Sequence, residues 1–167
     1  MKIKDQTSNF KNQVMTKPIV VVGLGNPLMA DEGIGVCLVE RLAQSAVDHP
    51  EVEFIDAGTG GLAVLHYIEG RRKAIFVDCA CMGEEPGSIR RFLPEEVRSV
   101  KALAHRSLHE ADLLRIIDMA RQLRRAPDEI VMFGIQPERV GLGQGLSRTL
   151  TNGIDRYMAA VRTELDA

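Results

Sequence analysis

Charge of one sign is scarce in this chain. Twenty-one basic residues face 23 acidic ones, for a net charge of −2. That balance removes the bulk electrostatic case for a nucleic-acid partner. The basic clusters Arg71-Arg72-Lys73 and Arg121 to Arg125 read as solvated helix ends and faces. No apolar run approaches the ~20 residues that a membrane helix needs, so no membrane association is expected. There is no tryptophan and aromatics are few. The three cysteines, Cys37, Cys79 and Cys81, are an odd set without a signal peptide. This argues against a disulfide framework and for a reducing, cytoplasmic setting. Cys79-Ala-Cys81 has the wrong spacing for a redox Cys-X-X-Cys motif, and no further thiols or imidazoles nearby would complete a zinc site. A structural role is expected for all three, with a secondary metal contact open for Cys79.

The 167 residues fit one domain. Residues 1–17 are polar, carry lysines and show no period; they read as a flexible tail before a single domain over 18–167. Within it, apolar runs alternate with helical patterns. Strands are expected at Ile19 to Leu24, Val52 to Ile55, Lys73 to Val77, Ser88 to Leu93 and Glu129 to Ile135. Helices are expected at Asp31 to Val47, where Ile34, Leu38, Leu42 and Ala46 recur at i+4, and at Leu62 to Glu69. Two more are expected from Ser107, with Glu110 completing a capping box, to about Arg124, and from Ser147 to about Glu164. Pro94 to Arg106 shows no clear pattern. The order implies an α/β fold: three layers, α/β/α, around a mostly parallel five-stranded sheet. The 88–93 strand follows its predecessor so closely that an antiparallel edge is expected.

The most informative segment is Ile19-Val-Val-Val-Gly-Leu-Gly-Asn-Pro-Leu-Met-Ala-Asp-Glu-Gly-Ile-Gly35. A buried strand runs into a glycine-rich turn and then an acidic pair, Asp31 and Glu32. Open α/β sheets bind ligands at the carboxyl ends of their strands. A phosphate there needs backbone N–H groups and no nearby anion. Two carboxylates suit a cation instead. The turn also lacks the third glycine of the dinucleotide fingerprint, which weakens a nucleotide-binding oxidoreductase as the reading. Gly33 and Gly35 each cost a helix roughly 1 kcal/mol against alanine. Either they leave room beside Glu32 or they ease helix–sheet packing. Gly58, Gly60 and Gly61 would leave the loop after Asp56 open. Glu32, Asp78 and His109 all fall where strands end or helices start. Two carboxylates and an imidazole are hard-to-borderline donors, suited to nickel, zinc, cadmium or manganese.

The turn Gly23 to Val36 resembles the opening motif of the hydrogenase maturation endopeptidases, which trim the C-terminal tail of the [NiFe]-hydrogenase large subunit. The resemblance continues at Asp56-Ala-Gly-Thr-Gly-Gly61, Phe76-Val-Asp-Cys-Ala80, Ser107-Leu-His-Glu-Ala111 and Gly134-Ile-Gln-Pro-Glu138. It implies that Glu32, Asp78 and His109 are metal ligands, with His109 preferred to His105. It implies nickel as the ion, borne by the precursor, with cadmium or zinc able to substitute. It places Asp56 near the same cleft, in substrate handling or catalysis. Asp56 and Asp78 are both candidates for general base. The chain lacks His-Glu-X-X-His, so no zincin mechanism follows. His49 and His66 read as surface residues. The implied partner is the hydrogenase large-subunit precursor. A non-catalytic nickel metallochaperone or scaffold using the same donors is the main alternative.

Overall fold

The computed structural model describes residues 16–45, 48–100 and 108–167, with the backbone alone at 98–100 and 108–111. The tail expected over 1–17 thus falls almost wholly outside the described residues. Lys17 itself is held: its Nζ donates to Val52 O at 3.0 Å and its carbonyl accepts from Arg71. Five strands form one sheet: β1 (Ile19–Gly23), β2 (Val52–Asp56), β3 (Lys73–Cys79), β4 (Ile89–Phe92) and β5 (Glu129–Ile135). Their spatial order is β2-β1-β3-β5-β4. β2, β1, β3 and β5 run parallel, and β4 pairs antiparallel with β5 at the edge. The expected three-layer α/β sheet with an antiparallel edge is therefore the one observed.

Strand alternation sorts the core into two halves, because successive side chains leave opposite faces of a sheet. Ile19, Val21, Ile75, Val77, Cys79, Val131, Phe133 and Ile135 pack against α1 (Ile34–Gln44) and α5 (Arg148–Leu165). Val20, Val22, Ala74, Phe76, Ile130 and Met132 pack against α2 (Ala63–Ile68) and α4 (Leu108–Gln122). In α4 the helically spaced apolar residues Leu113, Ile116, Ile117 and Ala120 are all buried there. α3 (Pro94–Val100) is a helix the apolar pattern does not announce. It starts on a proline, whose fixed φ suits a first helical position, and Glu96 accepts from Leu93 N at 2.6 Å. Ser107, expected to cap α4, lies outside the described residues.

At the amino edge of the sheet the expectation for Lys73 fails. It is not part of a solvated basic cluster but is 3% exposed. Its Nζ lies 2.8 Å from the Glu164 carboxylate and 2.9 Å from Glu129. Glu164 also takes a two-pronged contact from Arg91 at 2.6 and 3.3 Å. Burial raises the Glu164 pKa, but the Arg91 and Lys73 hydrogen bonds outweigh it and hold the carboxyl below its ordinary value. A group with a lowered folded pKa stabilises above its unfolded pKa of about 4.3 and loses that contribution as pH falls through the folded value. Glu164→Gln should therefore cost about 3 kcal/mol at pH 7, the scale for breaking one side of a buried pair. The gap to wild type in urea unfolding should close below the ordinary glutamate range. A gap that stays constant to strongly acid pH would show that the charge of Glu164 does not matter.

Candidate functional site

The four parallel strands end along one edge of the sheet. Register aligns Gly23 with Asp56 of β2 on one side and with Val77 of β3 on the other. Asp56 and Asp78 thus stand on opposite sides of the end of β1. Asp78 is 5% exposed, and its Oδ1 accepts from Cys79 N at 2.8 Å. By strand alternation it falls on the α2/α4 side, while its neighbour Cys79 lies in the α1/α5 core. Asp56 is exposed, and its Oδ1 accepts from Gly58 N at 2.8 Å. A Cβ at Gly58 or Gly61 would meet nothing within 4 Å, so that loop is open, as its composition suggested.

Glu32 lies beyond the glycine-rich turn that follows β1. It sits, half-buried, in a 3-10 turn, Asp31–Gly33, from which α1 continues. The helix expected from Asp31 therefore begins as α-helix only at Ile34. Close backbone packing explains the glycines here better than room for a ligand. A Cβ on Gly35 would overlap the carbonyl oxygens of both Leu24 and Val77, and one on Gly25 would overlap that of Glu32. A Cβ on Gly33 would come within 2.8 Å of Pro27 Cα. The acidic pair divides its work. Asp31 is fully buried, and its carboxylate accepts backbone N–H groups from Glu138, Arg139 and Ser147. Glu32, beside it, is half-buried and makes none of these contacts.

One electrostatic signature ties these elements together. Burial pushes the Cys79 thiol well above its ordinary value, and Asp78, Cys81, Glu32 and Asp31 push it further in the same direction. Glu32 and Asp78 thus both contribute negative charge at this thiol. Without a bound cation, Cys79 therefore favours the protonated thiol. Cys37 is half-buried and Cys81 exposed.

His109 falls in the first turn of α4. That helix runs antiparallel to the strands it covers. Its Leu113 and Ile116 line a small cleft with Leu24, Thr59, Gly60, Gly61 and Val64. Beyond its other end, Arg125 reaches Glu69 at 3.3 Å and Glu129 N donates to Arg72 O, near the start of β3. The backbone thus brings the turn bearing His109 to the carboxyl edge, on the face to which register assigns Asp78. The His109 side chain is outside the described residues, as is all of His105. Among the described residues, no three His, Cys, Asp or Glu side chains form a group able to hold an ion. His66 is exposed on α2; His49 is half-buried beside Glu51, at 3.7 Å.

A family model described as hydrogenase maturation protease, HycI, matches residues 36–164. The chain belongs to the hydrogenase maturation protease family. The match begins just past the Glu32 turn. The hydrogenase expression/formation protein HoxM of Cupriavidus necator is 30% identical over 82% of this chain and 68% of its own length. HupD of Bradyrhizobium diazoefficiens is 35% identical over 71% of this chain and 62% of its own. Among solved structures, the hydrogenase maturating endopeptidase HybD from E. coli superposes with a TM-score of 0.78 at 29% identity, over 89% of this chain and 91% of that one. Membership makes the chain a peptidase and leaves no place for the dinucleotide-binding reading. Among the described residues, no helix is long and apolar enough to cross a membrane.

Proposed function

We propose that this peptidase removes the C-terminal extension of the nickel-loaded [NiFe]-hydrogenase large-subunit precursor, and that Glu32, Asp78 and His109 recognise the nickel the precursor carries. The observation that carries the reading is the meeting of three segments at one edge: the Glu32 turn, the end of β3 with Asp78, and the first turn of α4 with His109. Two carboxylates and an imidazole fit a borderline divalent ion, and a donor set with open positions can complete the coordination of an ion held by another protein. Cadmium or zinc would occupy the same donors. A precursor without nickel offers no such bridge, so the site tests whether its substrate is ready. Three free thiols suit a cytoplasmic reaction.

Asp56 stands across β1 from this donor set and is exposed to an incoming chain. It takes the role of general base: its carboxylate accepts a proton from the attacking water, whose oxygen adds to the scissile carbonyl. The tail then leaves as the C–N bond breaks and its amine takes up a proton. Asp78, buried and assigned to the metal, is the less suitable base. Asp56→Asn should lower the cleavage rate by about two to four orders of magnitude, the usual worth of general-base help, while leaving cadmium affinity within a few-fold of wild type. Equal losses in both would make Asp56 a ligand or a structural residue. The reading as a whole is tested by mixing the protein with precursor prepared with and without nickel. Tail loss from the nickel-loaded form alone is expected; binding without cleavage would favour a metallochaperone.

A further inference from the structure

We propose that Asp31 is a positioning residue: by bolting the loop over 138–147 onto the 3-10 turn, it fixes the backbone from which Glu32 reaches the metal. The inference rests on the reading of Glu32 as a metal donor given above. Its basis is the density of restraint around one turn. Asp31 Oδ2 accepts from Glu138 N and Arg139 N, both at 2.9 Å, and Oδ1 accepts from Ser147 N at 2.6 Å. The backbone answers in kind. Asp31 N donates to Arg139 O at 3.3 Å, Ala30 N to Gly143 O at 2.8 Å, and Gly143 N to Leu28 O at 3.0 Å. A glycine-rich loop more than a hundred residues away in sequence is thereby held against the segment that precedes Glu32.

Two features show that the turn is held in a conformation it would not choose alone. Ala30 has φ 54 and ψ −117, a region L-residues seldom occupy. Such a residue costs about 1–3 kcal/mol and persists only where its surroundings over-determine it. On the other flank Gly25 passes so close to the Glu32 carbonyl that no Cβ fits between them. The backbone of Glu32 is gripped from both sides, and its position depends on what holds Ala30 and Asp31. A carboxylate suits this task because both oxygens accept. An asparagine cannot replace it: whichever way the amide lies, its NH2 faces at least one backbone N–H that had an acceptor.

The test is cadmium binding by isothermal titration, on the full chain, well below the unfolding midpoint of every variant. Glu32→Gln removes a donor and should weaken binding strongly. Asp31→Asn should weaken it about tenfold, the scale for groups that orient ligands, although it retains Glu32. Asp31→Glu keeps both acceptor oxygens but displaces them by a methylene group from the N–H groups they now meet, and should give a smaller, few-fold loss. It serves even if Asp31→Asn does not fold. Glu164→Gln, destabilised at the opposite edge of the sheet, should bind cadmium like wild type. If Glu32→Gln loses binding while Asp31→Asn and Asp31→Glu do not, Asp31 merely anchors a loop and the inference is overturned. If Glu32→Gln binds normally, Glu32 is not a donor, and the inference falls with the site reading on which it rests.

Discussion

Replacing His109 by alanine should abolish tail removal from the nickel-loaded precursor while leaving the fold intact. Groups that only orient a metal ligand are worth about 10–100-fold, so loss of the ligand itself should exceed about a hundredfold. The fold should survive because α4 is anchored further along, through Leu113, Leu114, Ile116, Ile117 and Ala120. His109 stands a full turn before the first of these, at the end of the helix that reaches the sheet's carboxyl edge. Far-UV circular dichroism and urea unfolding should match wild type. Processing should be read as the mobility shift of the large subunit. Cleavage within a few-fold of wild type would remove His109 from the site.

The second large effect is on stability. Gly35→Ala adds one methyl group in the first turn of α1, and helix propensity alone says it should stabilise by roughly 1 kcal/mol. Packing says the reverse. The new Cβ would overlap two backbone carbonyl oxygens, Leu24 O and Val77 O, and lie 2.9 Å from Leu24 N. None of these can swing away as a side-chain tip can. Overpacking of this kind costs typically 1–3 kcal/mol and occasionally more; with two backbone oxygens overlapped the cost lies at the upper end, so after the propensity gain a net loss of about 2 kcal/mol is expected in urea unfolding. The clash also pushes α1 off the crossing of β1 and β3, where the Glu32 turn begins, so cadmium affinity should fall as well. A gain in stability would mean that the glycine serves something other than close approach.

The sheet was legible because each strand is a short apolar run and each packed helix repeats apolar residues at helical spacing. The edge strand was legible from the brevity of its connection. α3 was not, since it carries a proline start and an end cap but no apolar stripe of its own, with only Val97 of its described side chains reaching the core. Lys73 misled because a buried cation is recognisable only with its partners, and those are Glu129 and Glu164, far along the chain. Asp31 misled in the same way. Next to Glu32 it looked like half of a cation site, but its three partners are backbone N–H groups of residues 138, 139 and 147, and backbone donors leave no mark in the sequence. Asp56 and Asp78 were visible as acidic residues at strand ends, which a parallel sheet must bring to one edge. The link between His109 and that edge came from the resemblance, and the direction of α4 supplies its physical reason.

The most direct measurement is a crystal of the protein soaked in cadmium, examined by anomalous scattering. The account predicts one dominant peak at the carboxyl edge of the sheet, ligated by the side chains of Glu32, Asp78 and His109 together. A peak held by other residues, with those three turned away from one another, would contradict it.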